Sequence, residues 1–457
     1  MDKISKENTD LKIKLLEDFM EIESSLNGES KSKFHKTRQD AIVTFEKLGF
    51  PVKKLEEWKY TNINPILKHE FKTSIPASEP NLSKEEIKNF LFNDKNINLL
   101  VFVNGKYSEK LSEIVTNNDK VFIGNFHDGK VKFGNVIDQH FSKYADYRNQ
   151  SLTALNTAFA KDGAFIYAGK GTEVKEPVHI LYISDSREEN YLCQPRNLFV
   201  AEEGASVKIA EEYHSVGEKH SFTNVVTEIF CGMNSCLERY KIQNEGGNAY
   251  NINTTNIIQE KDSRFSDTTI SWGGAITRNN LCALFNGTNT ECHFYGLYLL
   301  SGNQHVDNHT LADHAMPNCY SNELYKGIID DKATGVFNGK IMVREDAQKT
   351  NAYQSNGNIL LSADATVYSK PQLEIFADDV KCSHGATTGQ LNEDEMFYLQ
   401  ARGIGKEEAR VLLLNAFAGD VLDSVKIDGL REKLEKSLSD KLVRKYNHDG
   451  NRNRRKK

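Results

Sequence analysis

Long apolar runs are missing from this chain of 457 residues. None approaches the ~20 residues that a membrane-spanning helix needs. The first residues, MDKISKENTDLK, are polar and carry acids, so they read as neither a signal peptide nor a transit peptide. The expected location is cytoplasmic. Cysteine is sparse, with Cys193, Cys231, Cys236, Cys282, Cys292, Cys319 and Cys382 scattered and no two at C-x-x-C spacing. An odd, scattered set argues against a disulfide framework and a four-thiolate zinc module, and suits small buried hydrophobes. There is no Walker A sequence, no dinucleotide-binding glycine fingerprint and no G-x-S-x-G elbow. No nucleotide bound by this chain is therefore expected. The net charge of −6 divides into +7 over residues 441–457 and −13 over the rest. A body that acidic is unsuited to gripping nucleic acid. The basic end, residues 447–457, reads as a disordered, solvated tail.

What is present divides into three regions. Residues 1–95 read as an N-terminal helical domain: Leu15, Phe19, Ile22 and Leu26 recur at helical spacing. Residues 34–48 continue in the same style, and Ser83 with Glu86 forms a capping box for a helix over 84–93. From about 97 to 388 the helical period vanishes. Short apolar or alternating runs such as NLLVFVN, VHILYIS, NLFVAEE and FYGLYLL alternate with Gly, Asn, Asp and Ser clusters. Strands at such spacing, with little proline, predict a mainly β region over residues 96–390. Its length favours stacked short strands, a β-helix, over a sandwich, although no strict sequence period is visible. Residues 391–446 return to helix as a C-terminal helical domain. Asn392 caps a first helix that Gly403 stops. A second runs from Lys406 to Gly419, and Leu430, Leu434, Leu438 and Leu442 mark a third. The second helix, with VLLLNAFA at its centre, is apolar nearly all round, so it is either enclosed or docks a partner.

Three sets of residues can carry chemistry. Cys382 and His384 stand two apart in an extended run, so both side chains share one strand face with Val380 and Ala386. A thiol and an imidazole can ligate iron or zinc, but two ligands leave a site incomplete. On the residues alone a buried core pair and half of a metal site both stay open. Asp378 and Asp379 lie just upstream. His305, Asp307 and His309 also share a strand face and match the composition of a two-histidine, one-carboxylate triad, so a metal-dependent β-helix enzyme is an alternative. Finally, Asn248, Asn251, Asn253, Asn256, Asn338, Asn351, Asn356 and Asn358 read as the turns and ladders of a stacked β structure.

The segments SKPQLEIFADDVKCSHGATTG (369–389), EMFYLQARGI (395–404) and LLLNAFAGDVL (412–422) closely resemble the C-terminal signature of SufD-type chains. These belong to the SufB/SufD family, subunits of the SufBCD iron–sulfur cluster assembly scaffold. GVFNGKI (335–341) and LGFP…EEWKYT (48–61) look like the same family, as does QHVD (304–307), although Asn303 replaces its glycine-type lead-in. SufB-type chains read more like E-H-E-A-T where this chain has C-S-H-G-A-T. The resemblance implies a right-handed parallel β-helix core flanked by helical domains. It implies a non-catalytic scaffold subunit that pairs with SufB through the β-helix and docks the SufC ATPase on its C-terminal helices. It implies a transient iron–sulfur cluster shared with SufB, with His384 at the interface holding it. Cys382 carries over less securely, as its neighbour.

Overall fold

The computed structural model describes residues 3–24, 33–73, 82–94 and 96–454. Helices α1 (Lys3–Ser24) and α2 (Lys33–Leu48) form where the helical spacing predicts them, and bury Leu15, Phe19, Ala41 and Phe45. Leu26 lies outside the described residues. Two short helices follow, α3 (Asn64–Leu67) and α4 (Lys84–Ile87). The capping box on α4 is formed: Glu86 N donates to Ser83 Oγ at 3.3 Å and Ser83 N donates to the Glu86 carboxylate at 2.7 Å. The helix expected to reach residue 93 is shorter. After Ile87 the chain tightens into a 3₁₀ turn, Lys88–Phe90, and delivers Phe92 into the core beneath the C-terminal helices.

The strand region opens with β1 (Asn98–Val103), β2 (Lys106–Tyr107) and β3 (Val121–Asn125). Two helices then interrupt it, α5 (Phe126–His140) and α6 (Ser151–Phe159), in a region where the sequence shows no helical period. The reason is physical. Every residue of α6 after Ser151 is buried, so it has no polar face to mark a helical period. α5 is broken by non-helical angles at Phe133. The chain continues through β4 (Ala164–Ala168), β5 (Val178–Asp185), β6 (Tyr191–Cys193) and β7 (Arg196–Ala201). From β8 (Ser206–Val216) and β9 (Ser221–Cys231) onward, strands alternate between two sheets: β10 (Cys236–Gln243), β11 (Ala249–Gln259), β12 (Arg264–Ser271), β13 (Ile276–Phe285), β14 (Glu291–Leu300), β15 (His305–His314), β16 (Tyr320–Ile329), β17 (Thr334–Val343), β18 (Asn351–Leu360), β19 (Thr366–Ile375) and β20 (Lys381–Gly389). Even-numbered strands from β8 stack in one sheet and odd-numbered strands from β7 in the other, parallel throughout. The architecture is a parallel β-solenoid of about eight turns.

Register partners Ser206, Cys236, Arg264, Glu291, Tyr320, Asn351 and Lys381 are 27 to 31 residues apart, and this drift hides any strict sequence period. One corner of each coil is turned by a residue of positive φ: Asn234, Asp262, Asn289, Asn318 and Lys349. Asn and Asp tolerate this left-handed conformation best among non-glycine residues. Each donates its N–H to the next coil, as Asn318 N does to Gln348 O at 2.9 Å. Four of the asparagines expected to be structural, Asn251, Asn253, Asn356 and Asn358, are buried and hydrogen-bond inside the solenoid.

The three largest apolar clusters form layers. One lies between the two sheets, and a second binds α1, α2, α3 and α6 to the outer face of the odd-numbered sheet. The third lies between the even-numbered sheet and α8 (Lys406–Leu422) with α9 (Asp428–Arg454), which follow α7 (Glu393–Ala401). Asn392 caps α7 as expected, accepting from Asp394 N and Glu395 N. α8 passes through Gly419 to Leu422. Leu430, Leu434, Leu438 and Leu442 are all buried. The third helix, α9, runs on as far as Arg454. Once a packed helix is nucleated, adding residues is far easier than starting one. Residues 455–457 lie outside the described set.

Candidate functional site at the open end of the solenoid

The two ends of the solenoid differ. At the first, β2 and β3 pair antiparallel with β1 and β4. At the other, β19 and β20 each have a sheet neighbour on one side only. Every residue of β20 except Cys382 is exposed. The rim carries exposed Tyr353, Tyr368, Ile375 and Phe376. A strand edge left with unpaired backbone groups and apolar side chains is a template for another chain.

Alternation and register fix where the two candidate ligands stand. Cys382 pairs with Ala352, and below it lie Ser321 and Cys292. Cys382 is half-buried against the inter-sheet core. Burial pushes its thiol up, with a backbone hydrogen bond from Ala352 opposing, so the free thiol is the resting form. His384 pairs with Gln354, and below Gln354 come Glu323, Phe294, Asp267 and Arg239. Those five are buried inside the solenoid, so His384 is the exposed top of an inward-facing column. Cys382 and His384 therefore share the inward side of the last strand, as the two-residue spacing predicts. Asp378 and Asp379 do not join them. They are exposed in the corner turn, where the Asp379 carbonyl accepts from Lys349 N at 2.6 Å. Among the described residues no group of three or more His, Cys, Asp or Glu side chains is arranged to hold a metal ion.

His305, Asp307 and His309 do come together, but not as a metal triad. They lie on the outer face of β15 beneath the segment 56–61. Buried Asp307 contacts Arg278 Nη1 at 2.6 Å and His309 Nε2 at 3.0 Å, and accepts from the Thr61 hydroxyl. With the Thr61 proton committed to Asp307, His305 Nε2 donates to Thr61 Oγ1 at 2.8 Å. His309 Nδ1 reaches Glu57 at 3.3 Å, and Trp58 covers the Arg278 guanidinium with its ring centroid 4.0 Å away. Burial alone would raise the Asp307 carboxyl, but Arg278 and His309 hold it below the usual carboxylate range. Burial alone would lower His309, and Asp307 with Glu57 outweighs it and raises the ring. The Asp307 carboxylate is thus already paired with a guanidinium, and among the described residues the three side chains do not form a metal-holding group.

With this geometry in hand, the chain can be compared with known proteins. The profile of the SUF system FeS cluster assembly SufBD core domain matches residues 182–417, and that of the SufBD protein N-terminal region matches residues 9–180. The chain belongs to the SufBD family. An iron–sulfur cluster assembly SufBD family protein of Synechocystis is 32% identical over 92% of this chain and 94% of the relative. The iron–sulfur cluster assembly protein SufD of Escherichia coli is 27% identical over 88% and 92%, and that of Bacillus subtilis 29% over 68% and 69%. In this SufBD chain the resemblance seen in the sequence is upheld, and so is the β-helix. No helix among the described residues is long and apolar enough to cross a membrane, and all seven cysteines are free.

The SufBD fold also reveals residues that the sequence hides. Glu323 and Gln354 reach the site only through register, since 30 and 61 residues separate Gln354 and Glu323 from His384. No local motif marks them. On the C-terminal helices the over-apolar reading of α8 acquires a surface. Leu414 and Ala418 are buried, but Leu412 is 46% exposed and Phe397 on α7 is 74% exposed.

Proposed function

We propose that this chain is a non-catalytic scaffold subunit for iron–sulfur cluster assembly, completed by a SufB partner at the open end of its solenoid. The observation that carries this reading is a thiol and an imidazole on the inward side of a last strand that the described residues leave exposed. Two ligands are too few for a closed site but suit a half-site whose other ligands come from a second chain. Iron in a cluster prefers thiolate, and histidine replaces it at one iron in some proteins. Such mixed ligation fits a scaffold that must release its cargo. His384 is the ligand in this reading, and Cys382, packed against the core, is its supporting neighbour. The edges of β19 and β20, with Tyr368, Ile375 and Phe376, form the surface for the SufB β-helix. Leu412, Phe397 and Tyr398 on the C-terminal helices form the surface for the SufC ATPase, whose hydrolysis would rearrange the pair. The family membership supports a role in cluster assembly, and the absence of nucleotide motifs fits a chain without ATPase activity of its own. The reading is tested by expressing the chain with SufB and SufC. His384→Ala is expected to lower bound iron and sulfide at least about tenfold at equal complex yield, a loss of more than about 1.4 kcal/mol. Unchanged iron and sulfide would overturn it.

A further inference from the structure

The inward column beneath His384 holds an arrangement that cluster ligation does not explain. Glu323 on β16 and Gln354 on β18 are both more than nine-tenths buried. Thr310 Oγ1 donates to Glu323 Oε2 at 2.6 Å, and Gln354 Nε2 donates to the same oxygen at 3.1 Å. Glu323 Oε1 and Gln354 Oε1 are both left without a hydrogen-bond partner. The glutamine reaches this position because residue 339 opposite is glycine: a Cβ there would meet Gln354 Nε2 at 2.4 Å.

A buried carboxylate with an orphaned oxygen is costly, as is a buried amide oxygen. One proton resolves both. On Glu323 Oε1 it turns the carboxylate into an acid, whose O–H can donate to Gln354 Oε1 and complete a two-bond ring with the amide. The surroundings favour that neutral form. Cys292 on β14 and Tyr325 on β16 have their protons held well above the usual range by burial. His314 on β15, bonded to Ser321 at 2.9 Å, is pushed down to about 3 by burial and is uncharged. Phe294 closes the column below, and beyond it buried Arg239 pairs with Asp267 at 2.7 Å and with Glu211 at 3.5 Å, so no unpaired cation is there to hold Glu323 ionised. Burial pushes Glu323 itself up to about 7, with Thr310 and Gln354 opposing.

We propose that Glu323 is the buried charge partner of the open end: a neutral acid paired with Gln354 while the end is empty, and a carboxylate when iron is held there. This rests on the reading of His384 as a ligand. When ferrous iron arrives, the O–H bond at Oε1 breaks, its electron pair stays on the carboxylate, and the proton passes to water. The iron and the new carboxylate lie two strand spacings apart, ~10 Å, too far for ligation and close enough for attraction through the low-dielectric interior. Glu323 is thus a positioning residue that strengthens iron binding through charge alone.

Infrared difference spectroscopy on the anaerobic complex with SufB and SufC, before and after ferrous iron, tests this. A carboxylic-acid carbonyl band is expected without iron, lost on iron addition with release of about one proton, and missing throughout in Glu323→Gln. That variant is expected to bind ferrous iron about tenfold more weakly. Gln354→Met is expected to shift the band without removing it. An acid band that persists while iron binds, or its absence from the iron-free wild type, would overturn the proposal without requiring any variant to fold. The His384 reading fails separately, when His384→Ala leaves iron binding unchanged.

Discussion

Arg278 decides what the most metal-like residues of this chain do. Its guanidinium, buried under Trp58, needs a carboxylate, and Asp307 supplies it at 2.6 Å. His305 and His309 then orient around that pair rather than around an ion. Asp307→Ala would leave the guanidinium buried and unpaired, and is expected to cost about 3–5 kcal/mol in chemical denaturation. The pH dependence has a defined sign. His309 is raised in the fold, so its contribution is fully present below its unfolded value, ~6.5, and is lost as pH rises through the higher folded value. Thermal unfolding of wild type is expected to weaken over that window, and His309→Gln to flatten the decline. At this scale the sequence is partly legible. Two-residue alternation is a local property, so it correctly assigns His384 and Cys382 to one face. It equally assigns His305, Asp307 and His309 to one face, but the neutralising Arg278 comes from the coil below, a separation that no local pattern carries.

At the scale of elements, legibility follows the pattern of burial. α1, α2 and α9 each have one wet face, so their apolar spacing is visible. α6 is buried all round and α5 is kinked, so both are hidden in a stretch that reads as strands. The coil repeat escapes notice because its length drifts and because corner residues vary among Asn, Asp and Lys while keeping the same positive φ. α8 is the informative intermediate. Its sequence is too apolar for one buried face, and the fold leaves Leu412 exposed, as it does Phe397 and Tyr398 on α7. Among the described residues Phe397 and Leu412 are exposed rather than part of the core, whereas the Tyr398 ring carries the Arg402 guanidinium 5.0 Å from its centroid. The double variant Phe397→Asp with Leu412→Asp is expected to unfold within about 2 °C of wild type and to lose SufC at least about tenfold in a binding titration. Retained SufC affinity would assign the docking surface elsewhere.

The whole molecule is a solenoid dressed on both faces and bare at one end. The N-terminal helices cover one sheet, the C-terminal helices cover the other, and β19 with β20 is left as an edge. Cys382 and His384, the apolar rim and the buried Glu323–Gln354 pair all belong to that bare end. The most direct measurement isolates one nitrogen. The complex is prepared with ¹⁵N-histidine in this chain only, its cluster is reduced to a paramagnetic state, and hyperfine spectroscopy reads the nitrogens bound to iron. The expected result is a ¹⁵N coupling that disappears when the labelled chain carries His384→Ala. A cluster of normal occupancy with no ¹⁵N coupling from the labelled wild-type chain would contradict His384 as a ligand.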